Sequence, residues 1–157
     1  MVGQELLIQV VYGNALHGGA VKTILLVDDE PLILESLGEV LRWCRYNVIT
    51  HSNGESALSY MKGDNPVDLV ISDYLLPGMT GLDLLVEIRQ RMRDFPLIFF
   101  TGHGTIDIYL KAAALGAAFL KKPVRTKELI RTVEAALRNA RVGEAGGTGG
   151  LWSKSSP

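Results

Sequence analysis

Carboxylates stand at the ends of two short apolar runs of this chain. Asp28 and Asp29 follow the run Ile24–Val27. Asp73 follows the run Leu69–Ser72. Short apolar runs bounded by polar residues are typical of buried parallel strands. Ligands of an open α/β sheet bind beyond the carboxyl ends of its strands, and carboxylates gathered there repel one another unless a cation lies among them. Oxygen ligands with spare water positions suit Mg²⁺, so this pattern indicates a magnesium site.

Two further apolar runs add a hydroxyl and an ammonium group. The run Pro96–Phe100 ends at Thr101, and the run Ala117–Leu120 ends at the lysine pair before Pro123. An aspartate that accepts a phosphoryl group needs these parts. The carboxylate is the nucleophile, Mg²⁺ neutralises charge on the phosphoryl oxygens, and the lysine and hydroxyl hold the remaining oxygens. The set of residue types therefore predicts phosphoryl chemistry at an aspartate.

The motifs around these residues resemble the receiver domains of response regulators in two-component signalling. The stretches that carry the resemblance are ILLVDDEP at 24–31, VISDYLLPGMTG at 70–81, FTG at 100–102 and FLKKP at 119–123. The resemblance implies a chain that accepts a phosphoryl group from a sensor histidine kinase or a phosphotransfer protein. It also implies that phosphorylation switches a surface for a downstream protein target, or for a homodimer through the fourth and fifth strand–helix units.

The resemblance assigns the phosphoacceptor and the metal ligands. Asp73, at the end of the third strand, is the expected phosphoacceptor. Asp28, Asp29 and Asp73 are the expected Mg²⁺ ligands, together with the backbone carbonyl of Leu75, two residues after the acceptor. Such a chain catalyses its own phosphorylation and dephosphorylation and is not a turnover enzyme.

The resemblance also assigns the residues that respond to the phosphoryl group. Lys122, the lysine directly before proline and not Lys121, is expected to pair with the phosphoryl oxygens. Thr101 is the switch hydroxyl, and Phe119 is the switch aromatic that fills the space Thr101 leaves. Many receivers have tyrosine where this chain has Phe119, so the ring here carries no hydroxyl.

Amphipathic segments separate the predicted strands. Apolar residues recur at three-to-four spacing, which predicts helices. The helices are expected over about Pro31–Arg45, around Ala57–Met61, over Gly81–Met92, over about Thr105–Leu115, and from Thr126. With a short second strand expected at Asn47–Thr50, five strand–helix units with right-handed crossovers give an α/β fold, a doubly wound five-stranded parallel sheet with five helices. The resemblance implies the flavodoxin-like strand order 2-1-3-4-5.

Local signals mark several helix ends. Ser52 and Glu55 have the spacing of a capping box at the start of the second helix. Thr80 is a plausible N-cap of the third helix, and Gly116 is a natural left-handed residue after the fourth. His51 shows no sequence partner, and we expect no phosphotransfer role for it.

Composition limits the classes of function. The formal net charge of −1 gives no electrostatic reason to expect contact with nucleic acid or an anionic membrane. No apolar run approaches the about 18 residues of a membrane helix, and no basic region precedes Leu6–Val11 to form a secretory signal. The single cysteine, Cys44, excludes an internal disulfide and fits a reducing cytoplasm. It lies on the apolar face of the first helix, so we expect a buried thiol.

The chain divides into three parts. We expect a flexible N-terminal extension at residues 1–21, a receiver domain at 22–141, and a disordered tail, rich in glycine and serine, at 142–157. A phosphatase of the haloacid-dehalogenase type would need a second aspartate two residues after Asp73, where this chain has Leu75. Two interpretations stay open beside a complete receiver. One is a receiver fragment of a hybrid kinase or of a regulator without its output domain; the other is a docking module independent of phosphorylation.

Overall fold

A computed structural model describes residues 20–143 of the 157-residue chain. The strands are β1 (Thr23–Val27), β2 (Asn47–His51), β3 (Leu69–Asp73), β4 (Leu97–Thr101) and β5 (Ala118–Lys121). The helices are α1 (Pro31–Trp43), α2 (Gly54–Lys62), α3 (Gly81–Arg91), α4 (Ile106–Ala114) and α5 (Thr126–Gly143). The extension expected at 1–21 and the tail expected at 142–157 lie almost wholly outside the described residues.

The strands form one parallel sheet in the order β2-β1-β3-β4-β5. This order confirms the expected doubly wound, flavodoxin-like fold. Between β1 and β3 the chain leaves the sheet in opposite directions, which opens a crevice at the carboxyl ends of these strands. The register keeps the strand ends level, because Asp73 pairs with Phe100 and Thr101 pairs with Lys121.

Both faces of the sheet are buried. Ile24 and Leu26 of β1 pack with α1 and α5, whereas Leu25 and Val27 pack with α2, α3 and α4. All four side chains are fully buried. Burial of such a side chain stabilises the fold by about 1.5–3 kcal/mol. The apolar runs are therefore continuous, as expected for strands covered on both faces.

The start of α2 differs from the prediction. Asn53 is the N-cap, and its side chain accepts a hydrogen bond from the Ser56 backbone N–H at 2.8 Å. The expected Ser52–Glu55 capping box is therefore wrong. The physical reason is a competing donor, because Glu55 Oε1 accepts a hydrogen bond from the Met79 backbone N–H at 2.8 Å.

Two other helix ends follow the prediction. Thr80 caps α3 by accepting a hydrogen bond from the Asp83 backbone N–H, and the Asp83 carboxylate in turn accepts a hydrogen bond from the Thr80 backbone N–H. Gly116, after α4, has φ +68°, the left-handed conformation that favours glycine. Both confirm the sequence signals.

Two titratable side chains outside the predicted site, Cys44 and His51, are shielded from water to different degrees. Cys44 is 2% exposed, and burial together with the negative charge of Glu134 raises the pKa of its thiol to about 11. His51 does have a partner, contrary to expectation. Its Nδ1 lies 2.9 Å from Ser56 Oγ, and its ring centroid lies 5.3 Å from that of Tyr60. Burial lowers the pKa of His51.

No helix within residues 20–143 is long and apolar enough to cross a membrane.

Candidate functional site

Three carboxylates meet at the carboxyl ends of β1 and β3. Asp28, Asp29 and Asp73 each offer an oxygen within 4.8 Å of the others. Asp28 is fully buried and Asp73 is 4% exposed, while Asp29 is exposed. The adjacency of β1 and β3 causes this meeting, because parallel strands end at the same edge of the sheet. The donor set of hard oxygen ligands suits Mg²⁺.

The ammonium group of Lys122 closes this cluster. Its Nζ lies 2.7 Å from Asp28 Oδ2 and 2.7 Å from Asp73 Oδ2. A third carboxylate, that of Glu30, lies 3.3 Å away and is mostly exposed. The three N–H groups of the ammonium thus have three carboxylate partners. Lys121, the alternative lysine, is exposed.

Burial and the contacts between these charged groups both shift the pKa values of Asp28 and Lys122. Burial is the largest influence on Asp28 and raises the pKa of its carboxyl, although hydrogen bonds from Lys122 and from the Glu30 backbone N–H oppose this rise. Burial also acts to lower the pKa of Lys122, but hydrogen bonds to Asp28 and Asp73 outweigh it and raise that pKa above its ordinary value. Lys122 therefore carries a positive charge at neutral pH.

The loop after β3 holds Asp73 in place. Asp73 Oδ1 accepts a hydrogen bond from the Tyr74 backbone N–H at 2.6 Å, and the Leu75 N–H lies 3.4 Å from the same oxygen. At the far end of the loop, the Gly81 N–H donates to the Tyr74 carbonyl at 3.1 Å. A Cβ on Gly81 would lie 1.7 Å from the Asp73 carbonyl oxygen, so only glycine permits this close return. The Leu75 side chain is 51% exposed.

The two expected switch residues lie on neighbouring strands. Thr101 ends β4 and is 1% exposed, and its Oγ1 accepts a hydrogen bond from the His103 backbone N–H at 3.3 Å. Phe119 on β5 is half-buried. Its ring centroid lies 5.8 Å from that of Phe99 and 4.0 Å from that of Tyr109.

Sequence reasoning missed two residues of this region. Glu30 directly follows the aspartate pair, so its position could have marked it as a third carboxylate. Tyr109 had no comparable signal, because its contact joins α4 to β5 and depends on how the helix packs.

The arrangement can bind a cation and an anion side by side. The carboxylates of Asp28, Asp29 and Asp73 offer oxygens to a cation, while Lys122 offers a positive charge beside Asp73. An anionic group attached to Asp73 would meet both, so the geometry suits charge stabilisation at that carboxylate.

Comparison with known proteins gives a consistent result. A family model described as the response regulator receiver domain matches residues 24–134. The probable transcriptional regulatory protein TcrX of Mycobacterium tuberculosis is 31% identical over 121 residues, which are 76% of this chain and 51% of that protein. The transcriptional regulatory protein FixJ of Bradyrhizobium diazoefficiens is 30% identical over 118 residues, 74% of this chain and 57% of that protein. The chain thus spans about half the length of these curated relatives.

A solved structure agrees in fold as well as in sequence. The response regulator receiver domain protein from Clostridium thermocellum matches with a TM-score of 0.73 and 31% identity. The match covers 78% of this chain and 98% of that one. The matched part of this chain therefore corresponds to nearly all of that solved chain.

Proposed function

Because this chain belongs to the response regulator receiver domain family, we propose that Asp73 accepts a phosphoryl group in a Mg²⁺-dependent reaction. The donor is the phosphohistidine of a sensor histidine kinase or of a phosphotransfer protein. Asp73 attacks the phosphorus through a carboxylate oxygen, the bond from phosphorus to the histidine nitrogen breaks, and the imidazole leaves. The product is an acyl phosphate on Asp73, which the domain also hydrolyses.

The observation that carries this proposal is the contact of Lys122 with two buried carboxylates. Its ammonium lies 2.7 Å from both Asp28 and Asp73, so it is already beside the carboxylate that would receive the phosphoryl group. After transfer, the added negative charge attracts Lys122 more strongly than the carboxylate did. Phosphoryl transfer requires mainly positioning and charge stabilisation, and Lys122 provides both.

We assign the metal site to the carboxylates of Asp28, Asp29 and Asp73 and the backbone carbonyl of Leu75. The clustering of three carboxylate oxygens within 4.8 Å supports this assignment, since such a group is stabilised by a cation. When bound, Mg²⁺ neutralises charge on the phosphoryl oxygens. Asp28 is oriented for this role by the Glu30 backbone N–H, which donates to its Oδ1 at 2.9 Å.

We assign the response to Thr101 and Phe119. The Thr101 hydroxyl binds a phosphoryl oxygen by moving toward Asp73, and Phe119 fills the space that it vacates. The change reaches the surface formed by α4, β5 and α5. On α4, Ile106 is 71% exposed and Leu110 is 62% exposed, and we assign these two apolar side chains, one turn apart, to the contact with the partner.

The partner at that surface is a downstream protein target or a second copy of the chain. The relatives TcrX and FixJ are named as transcriptional regulators and are about twice as long as the matched region, so the proposed absence of nucleic-acid contact concerns only the receiver. The proposed location is the cytoplasm, because the single cysteine is unpaired and buried.

The proposal is tested by intact mass after incubation with acetyl phosphate and Mg²⁺. We expect the wild-type protein to gain one phosphoryl group, and we expect no gain without Mg²⁺ or in Asp73→Asn. Asp64→Asn is a matched control, because Asp64 has φ +56°, a conformation that asparagine adopts readily. Absence of a phosphoryl gain in the wild type at every Mg²⁺ concentration would leave a docking module independent of phosphorylation.

A further inference from the structure

We propose that Tyr109 is a positioning residue of the switch: its ring holds Phe119 in the half-buried position and so sets the affinity of the site for a phosphoryl group. The inference rests on the proposed function and names a regulator of the same site. It assigns to α4 an aromatic side chain that acts through Phe119 and does not touch the phosphoryl group.

The contact that carries this inference is a close ring pair between two elements. The Tyr109 and Phe119 centroids lie 4.0 Å apart at an interplanar angle of 44°. Phe119 also contacts Phe99, at 5.8 Å, and Phe99 is fully buried. Phe99 is therefore the fixed neighbour of Phe119, whereas half-buried Tyr109 lies on the helix nearer the solvent.

A second contact places Tyr109 against the loop that follows Thr101. A Cβ on Gly104 would lie 2.8 Å from Tyr109 Cε2, so the ring lies directly over the backbone of that glycine. The same loop contains the His103 N–H that donates to Thr101 Oγ1. Tyr109 thus contacts both the loop of the switch hydroxyl and the switch aromatic.

The direction of the effect depends on what happens to the ring pair when Phe119 turns toward the space left by Thr101. We infer that Phe119 then leaves the Tyr109 ring and that the ring pair is lost. The pair therefore stabilises the unphosphorylated arrangement only. A contact made in one of two states shifts the equilibrium between them, and by linkage it lowers the affinity for a ligand that selects the other state.

The contact between Tyr109 and Phe119 also links the switch residues to the exposed side of α4. Tyr109 lies between Ile106 and Leu110 in the sequence of α4, and both of these side chains are exposed. Loss of the ring pair removes a contact that fixes α4 against β5. The helix that presents these apolar side chains then becomes free to shift when Phe119 moves.

The test uses beryllofluoride, which mimics the phosphoryl group, at saturating Mg²⁺. We expect Tyr109→Leu to raise the affinity for beryllofluoride about two- to tenfold, the factor expected for removing one ring pair from the free state. Tyr109→Phe keeps the ring and should bind with wild-type affinity. Tyr60→Leu is the matched control, because Tyr60 pairs with His51 at 5.3 Å, away from the switch residues, and should also bind with wild-type affinity.

A ¹⁹F NMR measurement of Phe119 complements the affinity measurement. In protein labelled with 4-fluorophenylalanine, the ¹⁹F signal of Phe119 is identified by its loss in Phe119→Leu. In free Tyr109→Leu we expect this signal to move toward its position in beryllofluoride-bound wild type. A residue with a structural role alone would lower the melting temperature without raising the affinity for beryllofluoride.

Each outcome decides a separate question. Unchanged or lower affinity in folded Tyr109→Leu overturns the inference about Tyr109. Failure of the wild type to bind beryllofluoride overturns the proposed function instead. If Tyr109→Leu does not fold, Tyr109→Met replaces it, because its longer unbranched side chain fills more of the space of the ring while the ring pair is still removed, and it is expected to raise the affinity in the same direction.

Discussion

At the scale of single residues, the site depends on how Lys122 shares its positive charge. Asp28 and Asp73 are nearly devoid of contact with water, and each has the Lys122 ammonium at 2.7 Å. Glu30, at 3.3 Å, is exposed and is the weakest of the three partners. Glu30 is therefore the partner that an incoming phosphoryl oxygen displaces most easily.

Replacing this lysine gives a direct prediction. Lys122→Gln should slow phosphorylation of Asp73 by acetyl phosphate about 100-fold, because removal of one charged group that stabilises the transition state has an effect of this size. The rate is measured by intact mass against time. Lys121→Gln removes the neighbouring exposed lysine and should keep the wild-type rate. Equal losses in the two variants would contradict the role given to Lys122.

The residues at the strand ends could be predicted from the sequence, whereas the side chains that contact them could not. Asp28, Asp73 and Thr101 each follow an apolar run, and that position alone places them at one edge of the sheet. The contacts of Glu30 and Tyr109 depend on distances between separate elements. Periodicity carries no information about such distances.

At the scale of elements, the strands and helices were predictable because each has a strong sequence pattern. Strands buried on both faces are continuous apolar runs, whereas the helices have apolar residues at three-to-four spacing. The ends were less predictable. Helix α1 was expected to reach Arg45 but ends at Trp43, because Arg45 adopts φ +64°, outside the helical region. The capping box failed because Glu55 binds the Met79 N–H from a distant loop. The strand order came from the family resemblance, since periodicity does not determine it.

The β3–α3 connection gives a prediction for an element. Gly81→Ala should lower the free energy of unfolding by about 3 kcal/mol, because the methyl group would lie 1.7 Å from the Asp73 carbonyl oxygen and must displace the end of β3 or the start of α3. Urea denaturation measures the change. Gly63→Ala is the control, since its Cβ would lie 3.0 Å from the side-chain amide nitrogen of Asn65, an exposed side chain that can shift by the few tenths of an ångström required. A loss in Gly81→Ala no larger than in the control would show that the loop adjusts freely.

At the scale of the whole molecule, the α4–β5–α5 surface determines what the switch controls. If the partner is a second copy, Mg²⁺ and beryllofluoride should convert the wild-type protein from monomer to dimer in light scattering. The double variant Ile106→Lys, Leu110→Lys should remain monomeric, because it places two positive charges within the apolar contact. Leu32→Lys is the matched control: Leu32 is 77% exposed but lies on α1, so it should dimerise like the wild type. A wild-type protein that stays monomeric would leave a different protein as the partner.

The buried position of Cys44 has a practical consequence for following the switch by fluorescence. It is the only cysteine of the chain, it is 2% exposed, and its thiol has a pKa of about 11. Burial and the raised pKa keep this thiol protonated at pH 8, whereas maleimide dyes react with the ionised form. A cysteine introduced on the exposed side of α4, for example Asp107→Cys, would therefore take up a dye selectively while Cys44 is retained. The motion of α4 could then be recorded in real time without changing the core.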